Sequence, residues 1–197
     1  VLRERRAGLY LVDLGTFGGI APITIFKPAG ILQPLDDILI LPDVINPEIW
    51  LGGGLNWRDP AHMTLSLVND VSGQILVNRE LVKPEEVKSW RDLLNPKWKN
   101  QMVIGDVTLA SGAQVTWAHA IGSKVMGWDY MRELVKQEPL IVPDARLQHD
   151  WVALGKYPIL LCPRGELMNT FLKAGAPLAV ITPAEGAWLS SGTALLS

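Results

Sequence analysis

Ser111-Gly112-Ala113 and Arg146 are the residues whose types and spacing offer the plainest chemistry in this chain, and that chemistry is anion binding. The tripeptide follows an apolar run that ends in Asp106, and it opens a helical stretch over residues 114–123. A helix start leaves backbone N–H groups without intrahelical partners and carries the positive end of the macrodipole, while Gly112 allows close approach by a ligand. The competing reading is that Ser111 only caps its own helix. Arg146 comes just after Pro143-Asp144, at the start of another helix. A guanidinium there can grip a carboxylate, phosphonate or phosphate through two parallel hydrogen bonds. Its competing reading is a surface arginine bridged to Asp144 or Asp150. Arg164 and Glu166 follow the apolar run 157–162 and stand at a strand's carboxyl end, supported by that position alone.

Other chemistries find less support. His62, His119 and His149 have no metal-like spacing. A Cys162/His149 hydrolase is the enzyme alternative, but no oxyanion-hole signature accompanies Cys162, and a cysteine in the run Pro-Ile-Leu-Leu-Cys reads as an inert core thiol. Gly52-Gly53-Gly54 opens no periodic helix, so it is neither a phosphate loop nor a dinucleotide fingerprint. Of the eight tryptophans, Trp90, Trp98, Trp117, Trp128 and Trp151 sit at helical positions beside apolar residues and are expected in the core. Trp50, Trp57 and Trp188 are left as the ones able to face a cleft.

The elements that must position these residues alternate. Helices are expected at 84–94, 112–125, 128–137, 145–154 and 164–174, with strands at 102–105, 140–142, 157–162 and 178–182. Pro84 stands at a first helical position with Glu85 and Glu86 in the first turn, and Val87, Trp90, Leu93 and Leu94 share one face. Gly155 and Gly175 fall where helix C-caps belong. Such alternation predicts an α/β fold with a mainly parallel sheet covered by helices on both faces, and ligands in that architecture sit at the strands' carboxyl ends. Before it, residues 9–14, 63–68 and 74–78 read as strands, with a turn over 69–73. Residues 20–60 read as irregular structure with brief helices, anchored by Trp50 and Trp57.

Composition narrows the classes of function. With 197 residues, 48% hydrophobic and 19% charged, the chain is long and apolar enough to bury a real core as one large domain or two small ones. A formal net charge of −2 offers no electrostatic footprint for nucleic acid. No apolar stretch reaches the roughly 18 to 20 residues of a membrane helix. The single cysteine excludes an internal disulfide. Residues 1–6 show no signal-peptide pattern.

The stretch SWRDLLNPKWKNQMVIGD, Ser89 to Asp106, resembles the solute-binding proteins of ABC importers, specifically the extracellular family 1 that includes the ferric-iron binders. Further matching pieces follow the same order: Asp13 after an apolar run, Gly30-Ile31-Leu32-Gln33-Pro34-Leu35, residues 50–53, Val77-Asn78 before Leu81-Val82, residues 154–159, and GAPLAVITPAEG from Gly175 to Gly186. The resemblance implies a type II periplasmic-binding fold, two Rossmann-like lobes joined by a hinge. It places the first lobe at 1–76, the second at 77–178 and a return at 179–197. Against the family's pattern this sequence begins at what reads as the end of a helix (residues 2–8) and stops before the usual last helices, so the first lobe is expected to be incomplete and the chain a fragment.

The same resemblance implies a binding protein with no catalytic activity and no cofactor, periplasmic or extracellular, with or without a lipid anchor. Its partners would be a small solute and the permease subunits. In the iron binders a Ser-Gly-Ala turn at the position of Ser111-Gly112-Ala113 holds the synergistic anion; Asp13 or Thr16 would add a contact from the opposite lobe. The sequence departs from the iron ligands. Pro163-Arg164-Gly165-Glu166 stands where adjacent tyrosines are expected, Tyr10, Tyr130 and Tyr157 are the only tyrosines, and Gly15, Thr16, Phe17 and Gly18 occupy the place of an acidic ligand. An anionic or polar organic solute is therefore expected, with a ferric-iron carrier and a ligand-sensing domain of the same fold as alternatives.

Overall fold

The computed structural model describes residues 1–15, 21–50, 52–109, 112–122 and 124–192. The chain forms two compact units, Val1–Asp70 with Ser190–Ser197, and Val71–Leu189. Two strands span the passages between them: β1 (Val68–Ser72) and β7 (Trp188–Gly192), which pair in a two-stranded sheet.

The second unit is built on five short strands: β2 (Ile75–Asn78), β3 (Met102–Gly105), β4 (Leu140–Val142), β5 (Ile159–Leu161) and β6 (Leu178–Ile181). Their order in the sheet is β4-β3-β5-β2-β6. β3 runs parallel to both β4 and β5, whereas β2 runs against both β5 and β6. The expected mainly parallel sheet thus has one reversed strand inserted near its middle.

Alternation along these strands separates two apolar layers. Ile75, Val77, Met102, Ile104, Ile159 and Leu161 face one layer, and Leu76, Val103 and Leu160 face the other. β3 and β5 are buried on both faces, which is why each reads as an uninterrupted apolar run, whereas β4 at the sheet edge leaves Leu140 and Ile141 exposed. Helices α3 (Gly112–Gly122) and α4 (Trp128–Lys136) supply Trp117, Ala120, Tyr130 and Leu134 to the first layer. Helices α5 (Ala145–Ala153) and α6 (Gly165–Lys173) supply Val152 and Met168 to the second. Burying each Leu, Ile or Met side chain contributes about 1.5–3 kcal/mol.

The expected helix 84–94 is instead a pair of 3-10 turns, Pro84–Glu86 and Trp90–Leu94, followed by a third at Pro96–Trp98. The break has a local cause. Ser89 is extended and forms a capping box with Asp92, so a new helical start is imposed in mid-run. Pro96 then ends the segment. Gly155 follows α5 with φ +72, and Lys156 N–H bonds back to Trp151 O at 2.8 Å, the left-handed C-cap its position predicted.

The first unit is loop-rich. It contains α1 (Leu2–Arg6), one π turn (Pro22–Phe26), α2 (Pro42–Ile45) and a 3-10 turn (Pro47–Ile49). Leu35 and Leu65 form its small core, with Trp50 and Trp57 packed on them. Asp59 is its polar hub, accepting from Lys27 Nζ at 2.7 Å, Thr64 Oγ1 at 2.6 Å and Ala61 N–H at 3.1 Å.

Three expectations fail in and around this unit. Residues 9–14 form no strand: Leu9, Tyr10, Leu11 and Leu14 are exposed, and a strand without a ladder neighbour has nothing to hold it. Residues 63–68 contribute one isolated bridge, Leu65 to Trp57, and the strand starts only at Val68. The expected turn at 69–73 is therefore mostly strand, because β7 supplies a partner that overrides the poor propensity of Asn69 and Asp70.

Candidate functional site

Crevices in open α/β sheets form where neighbouring strands send their helices to opposite faces. β3 leads to α3 on one face, while β4 and β5 lead to α5 and α6 on the other. The carboxyl edge around β3 is thus the second unit's candidate site, where the sequence placed Ser111 to Ala113, Arg146, Arg164 and Glu166.

Each residue on that edge has a definite environment. Asp106, at the end of β3, accepts from Thr108 N–H at 2.8 Å and Thr108 Oγ1 at 2.7 Å, and these bonds hold its carboxyl below the usual range. α3 begins at Gly112, and Ala113 is buried, its methyl packed against the space above Gly105. Ser111 lies outside the described residues, as does Thr16. Asp13, in the first unit, is exposed.

Helices α5 and α6 start differently. Asp144 caps α5 by accepting from Leu147 N–H at 2.8 Å, so its own carboxylate occupies that helix end. α6 has Arg164 at its cap, and no side-chain acceptor caps its first N–H groups. Arg164 pairs with Glu166 at 2.8 Å in an exposed contact. Two of the expected ligand contacts thus bind each other.

Arg146 combines both of its sequence readings. Its Nε donates to Asp150 Oδ1 at 3.2 Å, as the surface-bridge reading expected, and the guanidinium carbon lies 4.7 Å from the centre of the Phe171 ring. The Nη groups carry no partner among the described residues. Phe171 and Asp150 thereby fix the plane of an arginine whose forked end is open. Sequence reasoning named Asp150 as a bridge partner and missed Phe171. Asp150 was legible as an i, i+4 partner, while Phe171 sits on another helix and left no local signal.

The enzyme alternative is not assembled. Cys162 belongs to the layer beneath α3, whereas His149 lies on α5 against the opposite face of the sheet, stacked on Phe171 at 5.9 Å. Burial pushes the Cys162 thiol up to about 12, so no thiolate is on offer. Tyr130 donates to Trp90 O at 2.7 Å inside the first layer, and Tyr157 packs on the second layer, so these two tyrosines do not meet. Among the described residues no cluster of three or more His, Cys, Asp or Glu side chains could hold a metal ion. No helix among them is long and apolar enough to cross a membrane.

The tryptophans divide less cleanly than expected. Trp90, Trp98 and Trp117 are buried, but Trp128 is 64% exposed, because it opens α4 on the side away from the core. Trp151 is half-buried, stacked on Tyr157 and covered by Lys156.

A cavity of about 410 Å³ lies at the sheet's other edge, lined by Asn100, Glu138, Pro139, Leu140, Ile141 and Tyr157. These residues precede or begin β3, β4 and β5, where α4 arrives with its negative end. Glu138 already pairs with Lys99 at 2.8 Å. No α-helix starts at this edge among the described residues, and Lys156, next to Tyr157, lies 3.6 Å from the centre of the Trp151 ring.

No family model matches the chain. Solved structures do resemble it. The periplasmic binding protein AfuA from Actinobacillus pleuropneumoniae, with fructose-6-phosphate bound, is 19% identical with a TM-score of 0.70, over 100% of this chain and 61% of that one. Iron-bound HitA from Pseudomonas aeruginosa is 16% identical with a TM-score of 0.63, over 93% and 58%. A two-component system protein described as mediating signal transduction is 20% identical with a TM-score of 0.67, over 98% and 62%. The chain spans about three fifths of the length of each of these structures. Together with the sheet and its helix layers, these likenesses show a type II periplasmic-binding fold.

Proposed function

We propose that this chain is the solute-binding component of an ABC importer, acting outside the cytoplasmic membrane and delivering a small anionic or polar organic solute to permease subunits. The observation that carries this reading is the open fork of Arg146, held in plane by Phe171 and Asp150 at the carboxyl edge of a binding-protein sheet. In this reading Gly112 and Ala113 contribute backbone N–H groups at the start of α3, Ser111 adds a hydroxyl, and Arg164 adds charge beside the uncapped start of α6. Exchange of Glu166 for a ligand anion would release Arg164. Binding without chemistry accords with the inert thiol of Cys162.

A thermal-shift screen of phosphate, phosphonates, carboxylates, polyamines, thiamine and ferric citrate tests the proposal, run on the wild type and on Arg146→Ala. Stabilisation by an anion in the wild type that shrinks in the variant supports it. Stabilisation by ferric iron alone, with a tyrosinate charge-transfer colour, would replace it with iron transport.

A sensing role is the second reading, favoured by the likeness to a two-component system protein. The two readings share the ligand site and differ in the partner. Gene neighbours encoding a permease and an ATPase favour import, and a histidine kinase favours sensing.

A further inference from the structure

His149 is fully buried in α5, yet its ring is only half satisfied. Nδ1 lies 2.7 Å from Ala145 O, which makes Nδ1 the protonated nitrogen of a neutral ring, and Nε2 is buried with no hydrogen-bond partner. The ring stacks on Phe171 of α6, with centroids 5.9 Å apart and planes 17° from parallel. His149 is thus a contact between the two helices that cover one face of the sheet.

A proton added at Nε2 would create a buried N–H donor and a buried charge, with no acceptor at hand for either. The charged groups around the ring make this worse. Arg146 on α5 and Arg164 ahead of α6 oppose a third cation, and Asp150 alone favours it. Asp150 is already bonded to Arg146, and Glu166 on α6 to Arg164. The strands beneath α5 contribute Leu76, Val103, Val142 and Leu160, all apolar, and Asn78, whose amide is used on Val152 O. Burial and the two arginines accordingly hold His149 below its ordinary value of 6.5.

We propose that His149 makes the α5–α6 joint acid-sensitive: neutral, it seats Phe171 and the helix that carries it; protonated, it can only be accommodated by opening that joint. This goes beyond the transport reading and stands whatever the solute is. It also touches Arg146, whose guanidinium rests on the same Phe171 ring.

The sign follows from linkage. The unfolded chain takes up a proton near 6.5 that the folded chain refuses, so acid favours the open or unfolded form. A group neutral throughout in the fold lowers the folded-to-unfolded ratio by about 25-fold between pH 7 and pH 5.

Two measurements on the full chain decide the matter. In an NMR titration of the wild type, the His149 ring is expected to take its proton below 6.5, with exchange of α5 and α6 amides rising as it does. Urea unfolding at pH 7 and pH 5 is expected to show a loss in the wild type that exceeds the loss in His149→Phe by up to about 25-fold in the folded-to-unfolded ratio. A His149 ring that titrates at or above 6.5 overturns the proposal, as does an equal pH dependence in the variant. If His149→Phe does not fold, the wild-type titration decides alone.

Discussion

Glu185 is the most revealing residue to remove, because it ties the segment after β6 to the SWRDL run. Its Oε1 accepts from Ser89 Oγ, its Oε2 accepts from Trp90 N–H at 3.1 Å, and the neighbouring Ala184 N–H bonds to Lys88 O at 2.8 Å. A carboxylate thus sits at the start of the Trp90–Leu94 turn, where the dipole is positive and Trp90 is fully buried. Hydrogen bonds to charged groups contribute about 1.5–3 kcal/mol each. Two would total about 3–6 kcal/mol, but water can reach this partly buried site, and Ser89 Oγ keeps its bond from Arg91 N–H. Glu185→Ala is therefore expected to cost about 2–3 kcal/mol, and Glu185→Gln, which keeps one acceptor, about 1 kcal/mol. Urea unfolding followed by tryptophan fluorescence measures both, and hydrogen exchange at Trp90 and Arg91 localises the effect. A loss below about 0.5 kcal/mol for Glu185→Ala, with unchanged exchange, would refute the capping argument.

Three further outcomes follow from the structure. Gly73 has φ +85, and a Cβ there would lie 2.4 Å from Trp188 Cε3, so Gly73→Ala is expected to cost about 2 kcal/mol or more and to shift Trp188 fluorescence. Asp59 is held at about 2 although burial alone would raise it, because Lys27, Thr64 and two backbone donors outweigh desolvation. Its unfolded value is 3.8, so the stability it contributes is present above that pH and is lost as pH falls towards about 2; the loss, about 2 kcal/mol, should vanish in Asp59→Asn during acid titration. Cys162, at 5% exposure, is expected to resist thiol reagents until the protein unfolds, and Cys162→Ser to leave solute binding unchanged in a titration.

What the sequence disclosed depended on whether a residue's neighbours in space were also its neighbours in the chain. β3 was legible because Met102, Val103, Ile104 and Gly105 are buried on both faces and must be apolar in a row. The caps at Gly155 and Gly175 were legible because positive φ selects glycine. β7 was not, since Trp188-Leu189-Ser190-Ser191-Gly192 has neither alternation nor an apolar run, and only β1 makes it a strand. Residues 9–14 had the apolar content of a strand without a partner to realise it.

The site divides along the same line. Arg146 and its bridge to Asp150 could be read from helical spacing. Its seat on Phe171 could not, because α6 meets α5 only once the sheet has formed. The capping of Ser89 and Trp90 by Glu185 was hidden for the same reason.

The account turns on where an anion binds, and two edges of one sheet offer opposed answers. Isothermal titration with whichever anion stabilises the wild type, repeated on Arg146→Lys and on Glu138→Gln, tests this most directly. Lysine keeps the charge and loses the fork, so Arg146→Lys is expected to weaken binding by about tenfold or more, while Glu138→Gln at the amino-edge cavity leaves affinity unchanged. Full affinity in Arg146→Lys with a loss in Glu138→Gln would place the anion at the other end of the strands and contradict the account.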